Sequence, residues 1–121
     1  MIVLDTTVLI DLLRGHAPAR TYLTSLAETA VCSEITRVEL LRGVRTSERT
    51  GAERLMRALR WIGLDEEIAR RAGTLGRTWR RSHALATPDL VIAATAQELG
   101  AQLATSNVRH FPMFDGLEPP Y

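Results

Sequence analysis

Asp5 is a carboxylate placed where many α/β proteins do their chemistry. It follows the apolar run 2–4, and the chain then changes at once to a helical pattern. A residue that leaves the carboxyl end of a parallel strand lies where ligands bind in open α/β sheets. An aspartate in that position is also an ordinary helix cap. Its chemistry therefore depends on which other polar residues reach the same edge.

Two further acids and one amide are predicted to reach that edge. Glu39 lies one turn into the helix expected after the second strand, Asp89 lies at the start of an apolar helix, and Asn107 follows the apolar run 103–105. Each also has a purely structural interpretation. Glu39 could close a capping box with Thr36, Asp89 could be a favourable charge at a helix N-terminus, and Asn107 could form a turn.

Three acids and an amide at one sheet edge would be expected to bind a divalent cation. Like charges close together resist ionisation, so three converging acids need a neutralising partner. Carboxylate and amide oxygens suit Mg²⁺ or Mn²⁺ rather than zinc. The three histidines have no mutual ligand spacing, and Cys32 is the only cysteine. We therefore expect no zinc site. His110 is interpreted separately, as either a substrate contact or a helix-end residue.

The elements that must position these residues follow from alternating apolar runs and helical patterns. Strands are predicted at 2–4, 30–33, 61–64 and 101–104, and helices at 8–15, 17–27, 36–45, 47–60, 65–79 and 87–99. Asp65 is expected to cap the fifth helix. Thr87 is expected to be the N-cap of the sixth, with Pro88 in its first turn and Gly100 ending it. Strands separated by helices predict an α/β fold whose parallel sheet is covered on both faces.

Length and composition indicate one domain over 1–121. The chain has 121 residues, of which 45% are hydrophobic, and shows no linker or repeat. No apolar run approaches the roughly 18 residues of a membrane span. No basic stretch precedes the first apolar residues, so we expect no secretory signal, no membrane association and a cytoplasmic protein. Cys32 is expected to be a buried packing residue.

The basic residues exclude several enzyme classes. All 15 are arginine, and the net charge is +1. A P-loop and Schiff-base catalysis both require a lysine. No serine or cysteine nucleophile motif with a placed histidine is present. The arginines around Trp79 could bind phosphates or form a solvated helical face, and Asp11 is interpreted as a surface charge that pairs locally near Arg14.

Four segments in order resemble one known family. They cover 2–7 (IVLDTT), 36–43 (TRVELLRG), 88–96 (PDLVIAATA) and 103–111 (LATSNVRHF). On these residues the chain resembles the PIN-domain ribonucleases and, within them, the VapC-type toxins of bacterial toxin–antitoxin pairs. The resemblance implies a PIN-like three-layer α/β/α sandwich with a mostly parallel central sheet.

The same resemblance implies roles for individual residues. Asp5, Glu39 and Asp89 would be the acidic, catalytic metal-site residues, with Asp5 and Asp89 as the surest direct ligands. Thr7 and Thr105 would line the site. Many relatives carry a fourth acid where this chain has Asn107. That difference puts a second tightly held metal ion in doubt.

The function implied by the resemblance is metal-dependent endoribonuclease activity. Mg²⁺ or Mn²⁺ would be the cofactor, RNA the substrate and a 5′-phosphate the product end. A cognate VapB-type antitoxin and a homodimer are implied as partners. Two alternatives remain: a non-catalytic PIN-like module that binds RNA or protein, and a metal-dependent nuclease or phosphatase acting on DNA or small phosphates. The sequence does not indicate the RNA target, because specificity depends on loops and groove shape.

Overall fold

Four short strands form one sheet in which all neighbours run in the same direction. The computed structural model describes all 121 residues. Its strands are β1 (Ile2–Leu4), β2 (Ala30–Ser33), β3 (Arg60–Ile62) and β4 (Gln102–Ala104). Their order is β3-β2-β1-β4, and each pair is parallel. Because parallel strands end at one edge, the residues that follow β1, β2 and β4 meet there.

Six helices connect and cover these strands. They are α1 (Thr6–Leu13), α2 (Ala17–Ser25), α3 (Glu34–Gly43), α4 (Arg49–Ala58), α5 (Glu66–Trp79) and α6 (Thr87–Leu99). Two short 3-10 turns, Thr46–Glu48 and Val108–His110, precede α4 and follow β4. No helix combines the length and apolar character that a bilayer crossing needs.

Alternate residues of β1 are buried on opposite faces of the sheet. Ile2 and Leu4 pack in a cluster with Leu9 of α1, whereas Val3 packs in a second cluster with Ile92 of α6. This is the period-two alternation of a strand that is covered on both faces. The predicted three-layer α/β/α fold is therefore confirmed, and the sheet is wholly rather than mostly parallel.

Capping residues explain why two helices begin earlier than predicted. The Asp5 side chain accepts a hydrogen bond from the Thr6 backbone, so α1 begins at Thr6 rather than at position 8. The Ser33 hydroxyl accepts from the Ile35 backbone, so α3 begins two residues before Thr36. The predicted helix start at Thr36 was therefore two residues late, and the alternative of a capping box at Thr36 is excluded, because Ser33 is an equally good cap closer to the strand.

The remaining boundaries differ by a few residues. Asp65 caps α5 as predicted, with its Oδ1 accepting from the Ile68 backbone at 2.9 Å. Ala86 rather than Thr87 is the N-cap of α6, so Thr87 is already helical. Gly100 ends α6 in the left-handed conformation that glycine adopts readily (φ 60°). The predicted ends of α2, α4, β3 and β4 were each one or two residues off.

Cys32 is a packing residue, as expected. It is buried in the cluster that contains Ile2 and Leu4. Burial raises the pKa of its thiol to about 12, against an opposing effect of the Arg37 charge. The thiol therefore stays protonated near neutral pH, and a buried neutral thiol is a poor nucleophile.

The interpretation of Asp11 as a surface charge pairing near Arg14 was wrong. Asp11 is half-buried and accepts a hydrogen bond from the Tyr121 hydroxyl at 2.5 Å. Arg14 instead pairs with Glu48, whose carboxylate lies 3.3 Å from the Arg14 Nε. The partner of Asp11 lies 110 positions away in the chain, so no local pattern could identify it.

Candidate active site

Asp5 is held at the carboxyl end of the sheet by one backbone hydrogen bond and three side-chain hydrogen bonds. Leu4 pairs with Ala104 in the β1–β4 ladder, and the Asp5 backbone extends this pairing by donating to the Ala104 carbonyl at 2.9 Å. This register brings Thr105 beside Asp5, where its hydroxyl donates to Asp5 Oδ2 at 2.6 Å. Thr7 donates to the same oxygen at 3.0 Å, and the Thr6 backbone donates to Oδ1 at 2.8 Å.

These bonds fix the direction in which Asp5 can bind a ligand. The residue is only 3% exposed. An ionised carboxylate has about four acceptor positions, and three donors are already directed at this one. The remaining position lies on Oδ1.

Glu39 is linked to Asp5 through Thr6. Its Oε1 accepts a hydrogen bond from the Thr6 hydroxyl at 2.6 Å, and the Thr6 and Thr36 hydroxyl oxygens lie 3.0 Å apart. The capping-box interpretation of Glu39 fails, since α3 begins at Glu34 and Glu39 is too far along it. Glu39 Oε2 has no hydrogen-bond partner within the chain.

Asp89 lies in the first turn of α6 and contacts His110. The His110 Nδ1 is 3.1 Å from Asp89 Oδ2, and the Asp89 side chain is 18% exposed. Burial raises the pKa of Asp89 above its usual value, and the negative charges of Asp5 and Glu39 raise it further, while His110 opposes the shift. Both other acids therefore lie close enough to Asp89 for their charges to act on it.

Thr7 and Thr105 bond directly to Asp5, whereas the Asn107 side chain does not. Besides donating to Asp5, the Thr7 Oγ1 accepts from the Ser106 backbone at 3.3 Å, and the Thr105 Oγ1 accepts from the Asn107 backbone at 3.0 Å. The Asn107 side chain is exposed and makes no hydrogen bond. It begins the 3-10 turn Val108–His110, so its interpretation as a turn residue is also consistent with the structure.

Thr6 and His110 are the neighbours that sequence reasoning did not assign. Thr6 is the first of two threonines after Asp5, and nothing in the local pattern shows that its hydroxyl bonds to α3. His110 was interpreted as a substrate contact or a helix-end residue. It does end a 3-10 turn, but its ring also contacts Asp89, 21 positions earlier in the chain.

The donor set fits a hard divalent cation, although the side chains do not enclose one. No group of three histidine, cysteine, aspartate or glutamate side chains lies close enough to hold an ion by itself. The free position on Asp5 Oδ1, the free Oε2 of Glu39 and the raised pKa of Asp89 all indicate negative charge that the protein does not neutralise. Oxygen donors of this type are those that Mg²⁺ and Mn²⁺ prefer.

Known proteins match this chain over nearly all of its length. The profile of the PIN domain family matches residues 2–116. The chain is 46% identical to Ribonuclease VapC19 of Mycobacterium tuberculosis, with all of both chains covered. It is 45% identical to Ribonuclease VapC10 of the same species, with all of this chain and 93% of that protein covered.

A solved structure gives the same fold at lower identity. A toxin–antitoxin complex from Klebsiella pneumoniae contains a chain with a TM-score of 0.82 and 29% identity to this one, covering 100% of this chain and 98% of that chain. Family profile, sequence relatives and structure agree over nearly the whole length. The chain belongs to the PIN-domain family and, within it, to the VapC group.

Proposed function

We propose that this chain, as one PIN domain over 1–121, is a metal-dependent endoribonuclease and the toxin of a toxin–antitoxin pair. The observation that carries the proposal is the placement of three acids around one sheet edge, where Thr6 links Asp5 to Glu39 and the charges of both act on Asp89. Asp5 follows β1, Glu39 lies on α3, and Asp89 opens α6. The names of the VapC relatives support ribonuclease activity.

Asp5 and Asp89 would hold Mg²⁺ or Mn²⁺, with Glu39 beside them. A bound divalent ion would polarise the scissile phosphate and lower the pKa of an attacking water. The protein's own contribution is orientation. Thr7 and Thr105 hold the Asp5 carboxylate in one direction, and His110 does the same for Asp89. Because these carboxylates are already oriented, less conformational entropy is lost when the substrate binds.

Glu39 is the acid best placed to orient the attacking water or to accept its proton. Its Oε1 is held by Thr6, while its Oε2 makes no hydrogen bond within the chain. A general base must lie within hydrogen-bond reach of the proton that it accepts. Because Asp5 and Asp89 are assigned to the cation, Glu39 Oε2 is left to orient the water or accept its proton.

The proposed partners follow from the relatives. The Klebsiella pneumoniae structure is described as a toxin–antitoxin complex. A structure from Haemophilus influenzae, in which the matching chain is 27% identical to this one, is described as VapBC-1. A VapB-type antitoxin is therefore the proposed protein partner. A homodimer and a cytoplasmic location are part of the same proposal.

RNA cleavage with and without metal tests the function. Purified protein is incubated with a structured RNA, or with DNA of the same sequence, in Mg²⁺, Mn²⁺ or EDTA. We expect cleavage of RNA only when metal is present, with fragments that carry a 5′-phosphate. RNA that is bound but never cleaved would favour the non-catalytic module, and cleavage of DNA would favour the more general nuclease.

Asn107 is predicted to contribute little to metal binding. Its side chain is exposed and unbonded. An exposed ionic interaction is worth about 1 kcal/mol or less. Asn107→Asp should therefore tighten Mn²⁺ binding by up to about fivefold, and Asn107→Ala should lower cleavage far less than loss of Asp5. Calorimetric Mn²⁺ titration of the parent and both variants, paired with cleavage rates, measures both effects.

The prediction for Asn107 has two contrary outcomes. One is a parent protein that binds two ions with equal affinity. The other is an Asn107→Ala variant as inactive as one that lacks the Asp5 carboxylate. Either would mean that the Asn107 amide contributes to the metal site as strongly as a carboxylate would.

A further inference from the structure

A second concave surface adjoins the acidic centre. The loop 82–86, between α5 and α6, forms one side of a cavity of about 340 Å³, and Arg109 and His110 form the other. Asp89 also lines this cavity, so the cavity adjoins one of the three proposed catalytic acids. Its volume is near the lower end of the roughly 300–1,000 Å³ that small-ligand sites occupy.

The cavity carries positive charge beside a negative centre. Arg109 is exposed and has no hydrogen-bond or ion-pair partner within the chain. The His110 side chain is 55% exposed and uses Nδ1 to contact Asp89, which leaves Nε2 unbonded. A polyanion approaching three carboxylates needs a compensating cation nearby. Arginine binds phosphate through two parallel hydrogen bonds, which also fixes orientation.

The opposite wall offers a flat ring and an apolar side chain. The His83 ring packs against Trp79 with centroids 5.7 Å apart and planes at 74°. Its Nδ1 lies 2.9 Å from the Ser82 hydroxyl oxygen, so two contacts hold the ring in place. Leu85 is partly buried in the same loop. Bases of single-stranded RNA bind by stacking on such aromatic rings.

We propose that this cavity is a subsite for the nucleotide next to the scissile phosphate. Arg109 binds the phosphate of that nucleotide, and His83 with Leu85 contacts its base. The proposal rests on the proposed ribonuclease function and assigns part of its RNA recognition to the loop 82–86. Neither Arg109 nor His83 contacts the acids, so both act in substrate binding rather than in the chemical step.

Steady-state cleavage of a short RNA separates binding from chemistry. Arg109→Ala is expected to raise KM about tenfold with kcat changed less than about threefold, because a residue that contacts only substrate affects binding. His83→Ala is expected to raise KM by a similar factor through lost stacking. Arg57→Ala is the matched control. Arg57 is an exposed arginine in the last turn of α4 without an ion-pair partner, and its loss should leave KM within about twofold.

A binding measurement that needs no cleavage completes the test. Fluorescence anisotropy follows a labelled single-stranded RNA bound to the Asp5→Asn protein, with and without Arg109→Ala. We expect affinity to fall about tenfold, and the slope of log K against log salt to decrease by about one when the phosphate contact is lost. Thermal melts check that each variant is folded.

The outcomes distinguish the subsite from the function. If the parent cleaves RNA while Arg109→Ala and His83→Ala match the parent in KM and in anisotropy, the subsite is wrong and the proposed function stands. If the parent cleaves no RNA, the proposed function fails. The anisotropy measurement then decides by itself whether the cavity binds RNA, and an unchanged affinity would overturn the subsite as well.

Discussion

Asp5→Asn is expected to lower the rate of RNA cleavage about a thousandfold or more while the protein stays folded. Lewis-acid stabilisation of the phosphate by a bound metal is worth several kcal/mol, and each 1.36 kcal/mol is a factor of ten in rate. The neutral amide removes the charge that would hold the ion. It keeps an oxygen for the Thr6 backbone, and the hydroxyls of Thr7 and Thr105 can rotate to accept from its nitrogen.

Stability and single-turnover cleavage are measured together. Asp5→Asn should lower the free energy of unfolding by about 1 kcal/mol or less, since each hydrogen bond can be replaced. Asp5→Ala should lower it by about 1–3 kcal/mol, because the buried Thr105 hydroxyl then loses its acceptor. Asp11→Asn, on the same helix but bonded to Tyr121, is the control that should retain cleavage. Cleavage at the parental rate by Asp5→Asn in Mg²⁺ would make Asp5 purely structural.

Divalent metal is expected to stabilise the parent protein, and Asp89→Asn to remove that effect. A ligand that binds only the folded state adds about 2.7 kcal/mol at 100 times its dissociation constant. For a domain of this size that corresponds to a rise in Tm on the order of 10 °C. Thermal melts in EDTA and in millimolar Mg²⁺ or Mn²⁺ measure the shift without any assay of activity.

Without metal, Asp89→Asn should stabilise the folded protein rather than weaken it. The pKa of Asp89 is raised in the folded protein by burial and by the charges of Asp5 and Glu39. Folding therefore favours the protonated form, and the stability that this group contributes falls as pH rises through its raised pKa. At neutral pH in EDTA, Asp89→Asn should melt higher than the parent, since the amide carries no charge and can still accept from His110.

A matched acid outside the site controls for general charge effects. Glu53 is exposed on α4 and has no ion-pair partner. Glu53→Gln should keep the full metal-induced rise in Tm. A parent protein whose Tm does not respond to millimolar metal would contradict a shared cation site, as would an Asp89→Asn variant that responds like the parent.

The sequence by itself was sufficient for features that depend on neighbouring residues. Asp65 caps α5 and Gly100 ends α6 because capping involves only the adjacent turn. The alternation of apolar runs and helical patterns was likewise enough for a parallel α/β sheet. Where two good caps stood three residues apart, as with Ser33 and Thr36, the local pattern could not choose between them.

Only the tertiary structure decided which polar groups meet. Thr105 bonds to Asp5 across 100 positions because β4 pairs with β1, and Thr6 bonds to Glu39 because α1 and α3 both start at the same sheet edge. His110 contacts Asp89 for the same reason, since the turn after β4 returns to the start of α6. Hydrogen bonds depend on distances of about 3 Å. Such distances between remote residues follow from strand order and register, which no local pattern specifies.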